Sequence, residues 1–175
     1  MPGFANWTLP EGANIIVGQG GYIVENSKAH LAFVSKELNL RNVHNHDNVG
    51  STWYGRLDLI RSLAKLSISA SRWLLTQEFS NFETCCAGVL SWPHWHFHVI
   101  TMYSGHVALN HIGNFSRSSG ETGYLDFGAA SKDSALDTRI KHVHCWHSDD
   151  DFSKFKHEGG QYDSLDLTPY LAMSA

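Results

Sequence analysis

The chain has 175 residues, 42% of them hydrophobic and 17% charged, which is enough apolar material for one core and too much for a disordered chain. Its formal charge is −4, from 13 Lys+Arg against 17 Asp+Glu, so any nucleic-acid surface has to be a local basic patch. No apolar run reaches the roughly 18 residues that cross a bilayer, the start Met1-Pro2-Gly3-Phe4 lacks the basic and apolar stretches of a signal peptide, and Cys85, Cys86 and Cys145 make neither a disulfide framework nor a zinc pattern.

No repeat or linker divides the sequence, which reads as one domain over 1–175. Ile15-Ile16-Val17 predicts a strand, and Gly18-Gln19-Gly20-Gly21 after it a hairpin turn or bulge. Ser27 suits the N-cap of a helix running to about Leu38, with Leu31, Val34 and Leu38 on one face. Residues 41–51 read as polar loop, His44-Asn45-His46-Asp47 included. The strongest helix covers 57–69, where Ile60, Leu63, Ala64 and Ser67 form a stripe. Residues 73–79 and 92–103 read as two strands, with a small-residue connection around Cys85-Cys86 between them. Residues 113–128 read as Gly/Ser-rich loop with one short strand, and 139–146 as a strand. Asp149-Asp150-Asp151 is a solvated turn, and 165–175 a short helix with Pro169 in its first turn. The mixture predicts an α+β fold with a central, mainly antiparallel β-sheet flanked by helices.

Twelve histidines nearly equal the Lys+Arg total, and the densest group is Pro93-His94-Trp95-His96-Phe97-His98-Val99-Ile100. On a strand, His94, His96 and His98 share one face while Trp95, Phe97 and Val99 turn to the core. Two imidazoles at i and i+2 can grip one cation, and the preceding strand offers Glu78 as a third ligand. A row of surface histidines on an edge strand remains the other reading.

Three stretches resemble the N-terminal nuclease domain of parvovirus large replication proteins, one group of the HUH endonucleases. Trp73-Leu74-Leu75-Thr76-Gln77-Glu78-Phe79 is similar to the family strand ending in the metal-ligating glutamate. His96-Phe97-His98-Val99-Ile100-Thr101 is similar to its His-hydrophobic-His strand. Thr168-Pro169-Tyr170-Leu171-Ala172-Met173 is similar to the segment with the catalytic tyrosine. The three follow the family's order. The chain departs from it in an insertion over 82–92, in Ser174 where a lysine usually follows the tyrosine, and in lacking an obvious long helix after His98.

The resemblance implies that Glu78, His96 and His98 hold Mg²⁺ or Mn²⁺, and that Tyr170 attacks a DNA phosphate to leave a 5′-phosphotyrosine and a free 3′ hydroxyl. Lys154, Lys156, Lys141 and Arg139 are the candidate phosphate contacts. It further implies viral origin DNA, single-stranded or as a stem-loop, as substrate, a helicase domain or partner, self-association on DNA, and the host nucleus; no membrane is expected. Tyr170 has a second reading as a half-buried C-terminal side chain, and Tyr162 is another nucleophile to weigh.

Two further functions stay open. Cys145 with His98 or His111 as base loosely resembles the His and Cys boxes of papain-like and acyltransferase-like thiol enzymes. The His142-Val143-His144-Cys145-Trp146-His147 run reads as a strand with exposed histidines, with zinc or a Cys/His pair as alternatives. A non-catalytic metal-binding domain is the third function.

Overall fold

The computed structural model describes residues 8–23, 25–42, 48–80, 95–112, 116–117, 125–128, 140–144 and 154–164. In chain order these contain β1 (Ile15–Gln19), α1 (Glu25–Glu37), β2 (Val49–Gly55) and α2 (Leu57–Trp73). A π-helical turn (Leu74–Glu78), a 3-10 turn (Phe97–Val99) and α3 (Ile100–Ile112) follow, then β3 (Ser116–Arg117), β4 (Phe127–Gly128), β5 (Val143–His144) and α4 (Lys154–Glu158). The fold is α+β. One sheet has the order β2-β1-β3, antiparallel between β1 and β2 and parallel between β1 and β3; β4 and β5 form a second, parallel pair. No helix among the described residues is long and apolar enough to cross a membrane.

Helix α3 is the centre of the molecule. Ile100 and every residue from Tyr103 to Asn110 are buried, as expected of a helix covered on all sides. Helix α2 lies against it through small residues: Ser104 Oγ is 3.0 Å from Ser67 Oγ and accepts from Ser71 Oγ at 2.7 Å. Gly105 is needed here, because a Cβ would stand 2.7 Å from the Trp53 ring. One core cluster joins Ile15, Val17, Val49, Leu63, Ala108 and Leu109 beneath the sheet. The other joins Leu31, Val34, Ala70, Leu74, Phe79, Trp95 and Tyr103 beneath α1.

Two predicted strands are helical. Residues 73–79 continue α2 into the π turn, closed by Phe79 N–H donating to Leu74 O at 2.8 Å. Leu63, Ala70 and Leu74 are fully buried, so a stripe shared with α2 outweighs the local β-preference of Trp-Leu-Leu-Thr. Within the predicted strand 92–103, Trp95 and His96 precede the 3-10 turn, and α3 begins at Ile100. His96 and His98 therefore do not sit on one face of a strand, and a long helix does follow His98.

Smaller differences have equally local causes. Val49–Gly55 forms β2 although 49–51 read as polar loop, because Trp53, Tyr54 and Gly55 pair with β1. Ser27 lies inside α1 and is fully buried, so it is not the cap. The predicted end of α1 holds: Asn39 has φ 53°, and Leu40 N–H donates to Ser35 O at 2.7 Å, a Schellman closure. The glycine segment after Val17 is not itself the bulge: Gly18 and Gln19 stay in β1, and the extra residues are on β2. The register passes from Val17 opposite Trp53 to Gln19 opposite Val49, so Gly50, Ser51 and Thr52 together face Gly18. Asn48 then pins the loop to β2: its carbonyl accepts from Gly20 N–H at 2.6 Å and its Oδ1 from Ile23 N–H at 2.7 Å.

Candidate functional site

The candidate site sits where α1, the π turn and the 3-10 turn meet above α3. At its base is Trp95, only 2% exposed. Its ring stacks on Tyr103 (centroids 4.0 Å, 20°) and, on the other side, on His30 (4.8 Å, 10°). Phe79 stacks beside it at 5.7 Å. This column places the indole edge against the π turn, where Trp95 Nε1–H donates to Glu78 Oε1 at 3.0 Å. His30 Nδ1 lies 3.3 Å from the same oxygen. The i→i+5 closure adds one residue to the last turn, which shifts Glu78 by about 100° from an uninterrupted α-helix. Such turns recur at functional sites because they re-aim a side chain.

The carboxylate is mostly covered and the imidazole less so, with side-chain exposures of 18% for Glu78 and 40% for His30. Together with Ala29 and Phe33 they line an open cleft of about 410 Å³. Phe33 is 47% exposed, which gives the cleft an aromatic wall beside an acceptor.

His96 and His98 follow directly on Trp95. His96 is extended (φ −136°, ψ 131°) and caps the 3-10 turn: its Nδ1 accepts from His98 N–H at 3.2 Å. Its own N–H donates to Tyr103 Oη at 3.1 Å. The two imidazoles stand 4.8 Å apart with 39° between their planes. Partial burial, and after it the charge of His98, hold His96 below the ordinary imidazole value. Burial pushes the Tyr103 phenol up, against the opposing hydrogen bond from His96 N–H.

Of the residues singled out from the sequence, Glu78 and the His96–His98 turn are thus joined through Trp95. Among the described residues, however, no group of three or more His, Cys, Asp or Glu is placed to hold a metal ion. As donors, the Glu78 carboxylate is of the type that suits Mg²⁺ or Mn²⁺, whereas the two imidazoles are of the type that suits softer ions. Lys141 and Lys156 are half-buried, Lys141 beside β5 and Lys156 on α4. Tyr162 is half-buried in the turn after α4. Tyr170, Arg139 and Cys145 lie outside the described residues, as does the side chain of Lys154. His111 is engaged elsewhere, since its Nδ1 accepts from Arg41 N–H at 3.0 Å. His30 was not legible as a site residue. Its only sequence signal is a histidine one position before Leu31, on the flank of the buried stripe of α1.

Residues 1–171 match the family model described as Domain of unknown function (DUF7164). No curated protein and no solved structure matches the chain.

Proposed function

The chain belongs to this DUF7164 family, and we propose that it is a strand-specific DNA nickase, with Glu78, His96 and His98 as its cation ligands and Tyr170 as its nucleophile. The observation that supports this reading is the Trp95–Glu78 hydrogen bond, which draws two of the three motifs together across 17 residues. A bound Mg²⁺ or Mn²⁺ would offset charge on the scissile phosphate. The chain's own residues supply the rest. Tyr170 Oη gives up its proton and bonds to phosphorus, keeping the 5′ phosphate; the bond to the 3′ oxygen breaks, and that end takes up a proton and leaves as a free 3′ hydroxyl. Trp95 and His30 orient Glu78. Lys141, Arg139, Lys154 and Lys156 contact backbone phosphates. Viral origin DNA, a partner helicase and the host nucleus belong to the same proposal.

The second reading is a cation-binding domain without turnover. Its support is that Trp95 and His30 already engage Glu78 and hold its carboxylate in place.

A pool of labelled single-stranded stem-loops with Mn²⁺, run on a denaturing gel that retains protein–DNA adducts, separates the two. The nickase gives a slow-migrating adduct that Tyr170→Phe and Glu78→Gln both abolish. Mn²⁺ binding lost in His96→Ala, with no adduct, selects the binding domain. Neither adduct nor Mn²⁺ binding overturns both readings.

A further inference from the structure

A second polar centre lies away from the Glu78 cleft, in the bulge between β1 and β2. Asp126 is 6% exposed, its side chain 1%, and its backbone is left-handed at φ 54°. A non-glycine residue held in that region and buried with its charge is costly twice over. The surroundings are shaped to receive it. Asp126 Oδ2 accepts from Thr52 N–H at 3.1 Å, and Oδ1 from Ser51 Oγ at 3.0 Å and Thr52 Oγ1 at 2.7 Å. Gly18 and Gly50 flank the carboxylate, and a Cβ at either would overlap Oδ2. The extra residues of β2 are thus folded around this one side chain.

Ser51 and Thr52 would suffice for a purely structural clasp. Instead an imidazole with 38% side-chain exposure is added: His142 Nδ1 lies 3.1 Å from Asp126 Oδ1 and 2.9 Å from Thr52 Oγ1. Proton counting sets its tautomer. The single hydroxyl proton of Thr52 goes to the carboxylate, which only accepts when ionised. Thr52 Oγ1 can then only accept from His142, so Nδ1 carries the proton and Nε2 of the neutral ring carries the lone pair. A buried carboxylate that fixes an imidazole through Nδ1 is the arrangement of a general base.

We infer that Thr52, Asp126 and His142 form a proton-transfer site in which His142 is the base for a hydroxyl nucleophile, water in the simplest case, attacking an ester-type centre. His142 Nε2 takes the proton as the hydroxyl oxygen bonds to the electrophilic atom. The imidazolium then returns that proton as the leaving oxygen departs. Asp126 and Thr52 are positioning residues. This site does not depend on the cation reading of Glu78.

The test uses p-nitrophenyl acetate as probe, with the full chain. The expected result is p-nitrophenolate release above the rate without protein. His142→Gln should lower it by at least about tenfold. Asp126→Asn should lower it too, provided circular dichroism shows the fold retained. A rate unchanged in His142→Gln overturns the inference. A second measurement needs no substrate and no variant that must fold: ¹⁵N chemical shifts of the His142 ring should report Nδ1–H and an unprotonated Nε2 in the neutral form, and the opposite tautomer overturns the assignment.

Discussion

Trp95 and Glu78, 17 residues apart in the chain, are joined by a 3.0 Å hydrogen bond from the indole N–H to Oε1, and this bond ties the end of the π turn to the start of the 3-10 turn. Trp95 is buried and already held by its stack on Tyr103 and His30, whereas Glu78 is partly exposed. The bond therefore sets the orientation of Glu78 more than that of Trp95.

Trp95→Phe keeps the stack with Tyr103 and His30 but removes the donor. It should cost about 1–2 kcal/mol of stability from the lost hydrogen bond and the smaller ring. Trp95→Ala, which empties the column, should cost about 3–5 kcal/mol. Urea unfolding followed by circular dichroism checks both, and equal losses in the two variants would contradict the stacked column as the main contribution.

His96 gives the fold a pH dependence of known sign. Its value is lowered from 6.5, chiefly by burial and then by His98, so the folded chain binds fewer protons than the unfolded chain below that pH. Stability should be level above about 6.5 and fall as pH drops from there through the lowered folded value. Comparing urea midpoints at pH 7.5 and 5.5 in the wild type and in His96→Gln tests this. The variant should show a smaller decline. NMR titration of His98→Gln should move His96 only part of the way back, because burial is the larger cause.

Gly50→Ala should be more damaging than an ordinary surface substitution. Its Cβ would meet the Asp126 carboxylate, and it would also stand 2.4 Å from Gly18 C and 2.7 Å from Gln19 N. Backbone on one side and a buried carboxylate on the other leave no direction in which to relax, so a cost of about 3 kcal/mol or more is expected. Gly12→Ala is the control: nothing lies within 4 Å of its Cβ, and its cost comes from the positive φ of 77° alone. A melting temperature lowered no further in Gly50→Ala than in Gly12→Ala would contradict the cradle around Asp126.

Ser104 is shared by Ser67, Ser71 and the Thr101 carbonyl. Ser104→Ala leaves the α2 hydroxyls without this acceptor at a buried contact and should cost about 1–3 kcal/mol. Ser104→Ala combined with Ser71→Ala should cost less than the sum of the single changes, since both partners of one bond are then removed. A double-mutant cycle by chemical denaturation reads the coupling directly.

The elements that were legible are those whose burial pattern repeats along their own length. Ile15-Ile16-Val17 is buried throughout and pairs as β1. The stripe through Ile60 and Leu63 marked α2, although the helix runs on to Trp73 rather than stopping at 69. Residues 73–79 and 95–103 were misread because a short apolar run has no period of its own. Leu74 and Tyr103 are buried equally well on a helix or a strand, and the choice fell to the helix once α2 and α3 had each other to pack against. The irregularity at the glycines after Val17 was legible, but not that the extra residues belong to β2 or that Gly18 seats a carboxylate, because Asp126 is contributed from more than a hundred residues away.

From the amino-acid order alone came the α+β class, the helix that carries Ser67, and the local richness in histidine and aromatic side chains around Trp95. These depend on neighbours within a turn or two, where periodicity and propensity act. Only the tertiary structure decided that His30 stacks on Trp95 and approaches Glu78, that His96 caps a turn instead of lining a strand, and that Asp126 reaches Thr52 and His142. Each of these contacts closes a long loop or turns on the exact end of a helix, and its energy exists only after the core around α3 has brought the partners together.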